Sequence, residues 1–126
     1  MSNNEERMVT LYHGTTVTRA QLIVSRQEFS NQDSYFTSPA NRDVAEFFAR
    51  RSASRHSAEG GPALVLIQVP EGEFNRLWKT LHLLRLTAFS EGDRPDLRGR
   101  NQWVLDAGGV IALNHAIDDW EWEPVN

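Results

Sequence analysis

Three short motifs, far apart along the chain, carry the residues that could do chemistry. His13 and Gly14 follow one short apolar run, and Tyr35 lies within a second one. Gln102 lies within a third run. Each run is typical of a strand, so each of these residues would lie where a strand meets a cleft. Histidine can donate to sugar hydroxyls, glycine lets a ligand approach the backbone, and an aromatic ring can stack on a planar heterocycle. These groups are suited to orienting a ligand that combines a sugar with a flat ring.

The order of the motifs is similar to that in a known enzyme family. Leu11–Thr15, Ser34–Thr37 and Asn101–Leu105 resemble the His-Tyr-Glu signature of the diphtheria-toxin and poly(ADP-ribose) polymerase class of ADP-ribosyltransferases. The resemblance covers most of the chain, roughly from Thr10 to Leu113. It implies that NAD is the substrate. It also implies an α+β fold of split antiparallel β-sheets with two to three flanking helices.

The resemblance implies a role for each matching residue. His13 would contact the adenosine ribose, the backbone of Gly14 would pair with the nicotinamide carboxamide, and Tyr35 would stack on the nicotinamide ring. The third member of the catalytic set, after His13 and Tyr35, would be Gln102. A second aromatic wall would come from the helix after the tyrosine. The remaining residues expected to bind NAD are Thr15, Phe47 and Phe48.

The third motif departs from the family, because Gln102 stands where the family has a glutamate. A carboxylate beside the developing sugar cation adds a full charge, whereas an amide oxygen accepts a hydrogen bond but contributes only a dipole. Losing one such electrostatic element typically lowers the rate by roughly 10²–10³-fold. A carboxylate from elsewhere in the chain could take over this role. The residues considered for it are Glu91, Asp93, Asp96 and Asp106.

Three functions follow as hypotheses. The first is a mono-ADP-ribosyltransferase that cleaves NAD between nicotinamide and ribose and transfers ADP-ribose to an unidentified acceptor. By analogy with the family, this enzyme would be a cytoplasmic toxin, and its partner would be an antitoxin or immunity protein. The second is a catalytically inactive module that binds NAD or ADP-ribose, which the missing glutamate favours. The third is an RNA 2′-phosphotransferase-like enzyme, a family with the same fold that relies on further histidines and arginines.

Each singled-out residue also has a purely structural interpretation. A histidine at a strand end is more often a satisfied structural residue than a catalytic one, so His13 alone carries little weight. Tyr35, Phe47 and Phe48 would be core aromatics by default. Gln102 could face solvent, because alternation along a strand places it opposite its two neighbours. The joint occurrence of the three motifs favours the functional interpretation.

Composition limits the remaining possibilities. A chain of 126 residues with 40% hydrophobic and 24% charged residues is expected to form one domain, residues 9–126, after a disordered lead-in of residues 1–8. The net charge of −4 argues against general nucleic-acid binding, and the lack of cysteine excludes thiolate metal sites. No apolar stretch is long enough to cross a bilayer. A solvated helix end, where the macrodipole favours cations, is predicted for Arg50, Arg51, Arg55 and His56.

Hydrophobic periodicity predicts three helices. Thr18 and Gln21 form a capping-box pattern that would open the first helix, with Leu22 and Ile23 facing inward and an end near Arg26. The second helix is predicted from the inward spacing of Val44, Phe47, Phe48 and Arg51. The third is predicted from the same spacing of Phe74, Leu77, Trp78 and Leu81.

Seven strands are predicted around these helices. Asp106–Gly109 is interpreted as a hairpin turn between two of them, and Ser90–Arg100 as a long exposed loop. The resemblance to the transferases implies that this loop would face the acceptor. The predicted strands are Met8–Tyr12, Tyr35–Thr37, Ala63–Val69, Leu84–Phe89, Gln102–Leu105, Val110–Leu113 and Trp120–Val125.

Overall fold

The computed structural model describes residues 7–30, 32–90 and 94–126. Over these residues the chain forms two three-stranded antiparallel sheets and four α-helices, so the predicted α+β class is confirmed. The strands are β1 (Met8–Thr16), β2 (Ser34–Phe36), β3 (Pro62–Pro70), β4 (Arg85–Ala88), β5 (Asn101–Leu105) and β6 (Asp119–Pro124). The helices are α1 (Val17–Arg26), α2 (Arg42–Arg55), α3 (Glu71–Asn75, continued by a π-helical turn over Arg76–Thr80) and α4 (Ala107–Ala116).

The first sheet carries the first motif. Its strand order is β1-β3-β6, and β3 lies in the centre because its apolar residues are buried on both faces. β1 pairs with β3 along its whole length, with His13 opposite Val65 and Gly14 opposite Leu64. The predicted edge strand around Trp120 is confirmed as β6.

The second sheet brings the other two motifs together. Its strand order is β2-β5-β4, so the strand of Tyr35 pairs directly with the strand of Gln102. Tyr35 lies opposite Val104, and Gln102 lies opposite Thr87. Because Gln102 and Val104 are two residues apart, Tyr35 and Gln102 lie on the same face of this sheet.

The two sheets meet at a single isolated bridge between β1 and the residue after β2. The N–H of Tyr12 donates to the carbonyl oxygen of Thr37 at 2.8 Å, and the N–H of Thr37 donates to the carbonyl oxygen of Tyr12 at 2.9 Å. The next antiparallel pair along would be Gly14 with Tyr35, and it is not formed. A gap therefore opens between β1 and β2 beside these two residues.

The faces of the first sheet are covered by different elements. Leu11, Val65 and Ile67 point into the main core, which they share with residues of α1 and α4 such as Ala20 and Leu113. The opposite face, which carries Gly14, packs against α2. The site residues at the end of β1 are thus held between a packed core and one long helix.

The prediction of a strand over Val110–Leu113 is wrong, because these residues lie within α4. Asp106 is the N-cap of this helix, and its carboxylate accepts from the N–H of Gly109 at 2.8 Å. The predicted hairpin turn at Asp106–Gly109 is therefore also wrong. A Cβ on Gly109 would lie 3.0 Å from the carbonyl oxygen of Leu83, so this glycine allows a close approach rather than a reversal of the chain.

The start of α1 also differs from the prediction. The helix begins at Val17, and its N-cap is Thr16 rather than Thr18, with Thr16 Oγ1 accepting from the N–H of Arg19 at 3.3 Å. Leu22, predicted to face inward, is 46% exposed. The helix does end at Arg26 as predicted.

The other predicted elements are present. The second helix is α2, and the third is α3 with its π-helical turn, in which Phe74 and Leu77 are buried while Leu81 follows as an exposed residue. The proposed lead-in, residues 1–8, lies outside the described residues except for its last two. Of these, Met8 already pairs with Pro70 in β1.

Candidate functional site

A cavity of about 310 Å³ lies at the gap between β1 and β2. His13 and Gly14 reach it from β1, and Tyr35 reaches it from β2. Phe48 lines it from α2. The structure therefore brings together the first two motifs and one of the two phenylalanines proposed as a second aromatic wall.

His13 is tied to the second motif by a hydrogen bond. Its Nδ1 lies 2.9 Å from the carbonyl oxygen of Tyr35, and a carbonyl can only accept, so Nδ1 carries the proton. The ring centroids of Phe29 and Phe36 each lie 5.2 Å from that of the imidazole and 5.0 Å from each other, so the three rings form one cluster. Burial lowers the pKa of His13, against the opposing effect of the Tyr35 hydrogen bond, so the neutral ring is favoured. Its Nε2 is then a hydrogen-bond acceptor, not the donor to a sugar hydroxyl that the motif suggested.

Gly14 offers backbone groups to the cavity and cannot be replaced by a larger residue without a shift of α2. In an antiparallel ladder, backbone groups two residues apart point the same way, and those of Tyr12 point away from β3 toward Thr37. The N–H and C=O of Gly14 therefore point into the gap. On the α2 side, a Cβ here would overlap the carbonyl oxygen of Ala45 and lie 2.7 Å from the backbone nitrogen of Ala49.

Tyr35 and Phe48 already form an aromatic stack. Their ring centroids are 5.4 Å apart and their planes differ by 12°. Tyr35 is 39% exposed, so its ring closes the stack at the protein surface. Phe47 lies edge-on to Phe89, with 5.2 Å between the ring centroids, and is not among the residues that line the cavity. Of the two candidates for the second aromatic wall, the structure favours Phe48.

A basic wall, formed by Arg19, Arg51, Arg55 and His56, also lines the cavity, and Arg51 of this wall packs over the ring of Phe48. The last three were predicted to be a solvated helix end, and Arg19 was not singled out. The pattern along α2 could not show that its final turn faces the gap in front of β1 and β2. Arg50, the fourth member of the predicted cluster, instead donates to the carbonyl oxygen of Asn126 at 2.9 Å.

Gln102 does not line this cavity. It is 5% exposed, which contradicts its interpretation as a solvent-facing residue, and its Oε1 has no hydrogen-bond partner among the described residues. Thr37, which lies two residues beyond Tyr35, is 1% exposed, and its Oγ1 also lacks a partner among the described residues. An unsatisfied buried polar group costs roughly 1–3 kcal/mol. Each of these two buried polar atoms therefore lacks a compensating hydrogen bond within the described part of the chain.

The carboxylates considered as substitutes for the missing glutamate are engaged elsewhere or lie outside the described residues. Asp106 caps α4, and Asp96 forms an ion pair with Arg94 at 2.8 Å in the segment before β5. Glu91 and Asp93 lie outside the described part of the chain. Among the described residues, the carboxylate that lines the cavity is Asp33, two residues before Tyr35, which the sequence analysis did not consider.

A second cavity of about 350 Å³ shares His13 and Gly14 with the first. Thr15 and the apolar side chains of Ile23 and Phe29 line it. Thr15, the remaining residue that the resemblance assigned to NAD binding, therefore lies next to the site but not in the first cavity. The two cavities share six lining residues, so together they form one cleft near the C-terminal end of β1.

Among residues 7–30, 32–90 and 94–126, no cluster of three or more histidine, cysteine or acidic side chains could hold a metal ion. The helices formed by these residues include none long and apolar enough to cross a membrane. Comparisons with protein-family models, with curated proteins and with solved structures give no match for this chain. Its function is therefore argued from the site itself.

Proposed function

We propose that this protein is a mono-ADP-ribosyltransferase that binds NAD in the cleft at the end of β1. The observation that carries the proposal is the convergence of His13, Gly14 and Tyr35 on one cavity, although Tyr35 lies on a different sheet. The fold supports it as well, because two antiparallel sheets that separate beside the motif residues fit the split-sheet arrangement that the resemblance implies.

Each group in the cavity suits a part of NAD. Nε2 of the neutral His13 can accept a hydrogen bond from a ribose hydroxyl. The backbone N–H and C=O of Gly14 can pair with the carboxamide of nicotinamide, which has both a donor and an acceptor. Tyr35 and Phe48 can hold the nicotinamide ring between them once their own stack opens.

The chemistry needs little from the protein beyond positioning. The bond from ribose C1′ to the pyridinium nitrogen breaks, and its electron pair stays on nitrogen, so neutral nicotinamide leaves without a proton donor. The acceptor nucleophile then bonds to C1′ and loses its proton to solvent. The sugar carries positive charge between these events, and Asp33 is the carboxylate of the cavity lining that can stabilise it electrostatically.

Incubation with NAD labelled in the adenylate part tests this function. We expect nicotinamide release and label transfer to protein or nucleic acid in a cell extract. Tyr35→Phe keeps the stacking ring and should retain activity, whereas Tyr35→Ala should lose most of it. Asp33→Asn should lower the rate by roughly 10²-fold, the typical loss for one electrostatic element. A wild type that releases no nicotinamide, or a Tyr35→Ala variant as active as Tyr35→Phe, would count decisively against the proposal.

A second candidate is a module that binds NAD or ADP-ribose without turnover. The observation that favours it is the neutral, buried Gln102, which lies outside the lining of the cavity where the family has a charged glutamate. Calorimetry that detects NAD binding by a wild type with no nicotinamide release would select this function. Nicotinamide release by Gln102→Glu in the same assay would then assign the lost activity to this one residue.

A further inference from the structure

We propose that the basic wall recognises a diphosphate group. Arg51 and Arg55 come from the C-terminal part of α2, and His56 directly follows this helix. Arg19 comes from the first turn of α1, so basic side chains reach the cavity from two helices. The inference deepens the proposed function, on which it rests for the identity of the nucleotide, by naming the residues that bind the phosphates.

The charge balance of the cavity opposes that of the whole protein. Arg19, Arg51 and Arg55 bring three permanent positive charges to its lining, and Asp33 brings one negative charge among the described lining residues. Glu59 pairs with Arg19 and brings a second, so arginines still outnumber carboxylates here among the described residues, three to two. The protein as a whole carries a net charge of −4. A positive cavity in a negatively charged protein concentrates its attraction for anions at that place.

The arginines differ in what they already bind. Arg19 forms an ion pair with Glu59 through Nε at 2.8 Å, and Arg51 lies over the rings of Phe47 and Phe48 at 5.4 and 5.0 Å. Arg55 is exposed, and no described residue forms an ion pair with it. It is therefore the guanidinium most available to an incoming ligand.

A diphosphate fits this arrangement better than a single carboxylate does. Guanidinium groups bind phosphate oxygens in pairs of parallel hydrogen bonds, and two linked phosphates can reach arginines on two different helices. Ser52, one turn before His56 on α2, also lines the cavity and can donate a further hydrogen bond. The basic wall and Tyr35 border the same cavity, so a dinucleotide can place its diphosphate and its ring there together.

Calorimetry with three probes tests this assignment: inorganic pyrophosphate, ADP-ribose and adenosine. We expect pyrophosphate and ADP-ribose to bind the wild type, and Arg55→Gln to weaken both by roughly 10-fold, the usual loss for a hydrogen bond to a charged group. Adenosine, which lacks phosphate, should bind both proteins alike. Arg26→Gln is the matched control, because it removes the same charge from the exposed end of α1 without touching the cavity, and it should change affinity by less than about twofold.

The outcomes separate this inference from the proposed function. Pyrophosphate that fails to bind, or an equal loss in Arg26→Gln and Arg55→Gln, would overturn the diphosphate wall. NAD that binds Arg55→Gln as tightly as the wild type would overturn it as well, and would leave the proposed function standing. Pyrophosphate binding that depends on Arg55, in a protein that does not bind NAD, would support the wall and refute the proposed function.

Discussion

His13 shows how one side chain can serve both the fold and the site. Its Nδ1–H holds the backbone of Tyr35, while its ring lies among Phe29 and Phe36. Burial lowers its pKa, so the folded protein favours the neutral ring at pH values where the unfolded chain already binds a proton. The structural interpretation of this histidine is therefore confirmed, and its functional role in the cavity lining stays a prediction.

This pKa shift predicts a loss of stability in mild acid. The contribution of neutral His13 is complete above the ordinary histidine pKa of about 6.5 and is lost as pH falls from there toward the lowered pKa of the folded state. The free energy of unfolding should fall in this window with a limiting slope of about 1.4 kcal/mol per pH unit. Urea denaturation at several pH values between 7.5 and 5 measures it.

His13→Asn is the control for this pH dependence. Asparagine keeps an N–H that can donate to the carbonyl of Tyr35, but it does not titrate. The other histidines are unchanged in the variant, so subtracting the two pH profiles isolates His13. Parallel profiles for wild type and variant would show that His13 titrates alike in the folded and unfolded states.

Part of the candidate site could be predicted from the sequence, and physical causes explain why the rest of it could not. His13, Gly14 and Tyr35 could be found because their types and order form a motif. Alternation placed Gln102 on a face of β5 but could not show that this face is buried. The helix macrodipole explains why cationic residues lie at the C-terminal end of α2. It does not show that they face a cavity, because that depends on how α2 packs on β1.

At the scale of elements, the contact between α2 and β1 fixes the position of the site. Ala45 and Ala49 present small side chains to β1, and Gly14 presents none, so the helix approaches the strand closely. The same helix carries Phe48, Arg51 and other residues of the cavity wall. The geometry of the cavity therefore depends on a glycine that a ligand would contact only through its backbone.

Gly14→Ala is expected to destabilise the protein by roughly 3 kcal/mol, the upper end of the cost of overpacking, because the new Cβ would overlap backbone atoms of α2. Chemical denaturation followed by circular dichroism measures the change. Gly108→Ala is the matched control, since the nearest atom to its Cβ is Asp106 Oδ1 at 3.6 Å and alanine favours a helix by about 1 kcal/mol. Equal effects of the two substitutions would argue against close packing at Gly14.

The elements predicted wrongly share a cause. Residues 110–113 are apolar in succession, and such a run has no period that separates a strand from a buried helix. The two glycines before it favoured a turn, yet Asp106 caps a helix there, and Gly109 allows that helix to approach the backbone of Leu83. The strands β3 and β6 were predicted correctly because a flanking proline or strict alternation marked them.

At the scale of the whole molecule, ligand binding and folding are linked. The cleft is built from β1, β2, α1 and α2, so a ligand in it binds the folded chain and not the unfolded one. Asn114 of α4 helps to hold the segment that follows α1, because it pairs with both backbone groups of Phe29 at 2.9 and 3.1 Å. Stabilisation of the site is thus stabilisation of the domain.

This linkage predicts that NAD raises the unfolding free energy by about 2.7 kcal/mol at a concentration of one hundred times its Kd. Thermal melts with and without NAD measure the effect. Tyr35→Ala removes a side chain that is 39% exposed, so the variant should fold, and NAD at the same concentration should leave its melting temperature nearly unchanged. Equal NAD-dependent shifts in both proteins would mean that NAD binds away from Tyr35.

Because Tyr35 stacks on Phe48, a ligand ring can lie between them only after the two rings separate. The centroids of Tyr35 and Phe48 would have to be about 7 Å apart to hold a third ring between them, which is the largest separation of two rings in direct contact. They are 5.4 Å apart. Gly14 locks the helix of Phe48 against β1, so the movable half of the pair is the surface tyrosine. An inserted ring replaces the one contact between Tyr35 and Phe48 with two contacts of its own. A planar aromatic ligand is therefore favoured over a thin aliphatic chain, which would leave unfilled space between the two rings.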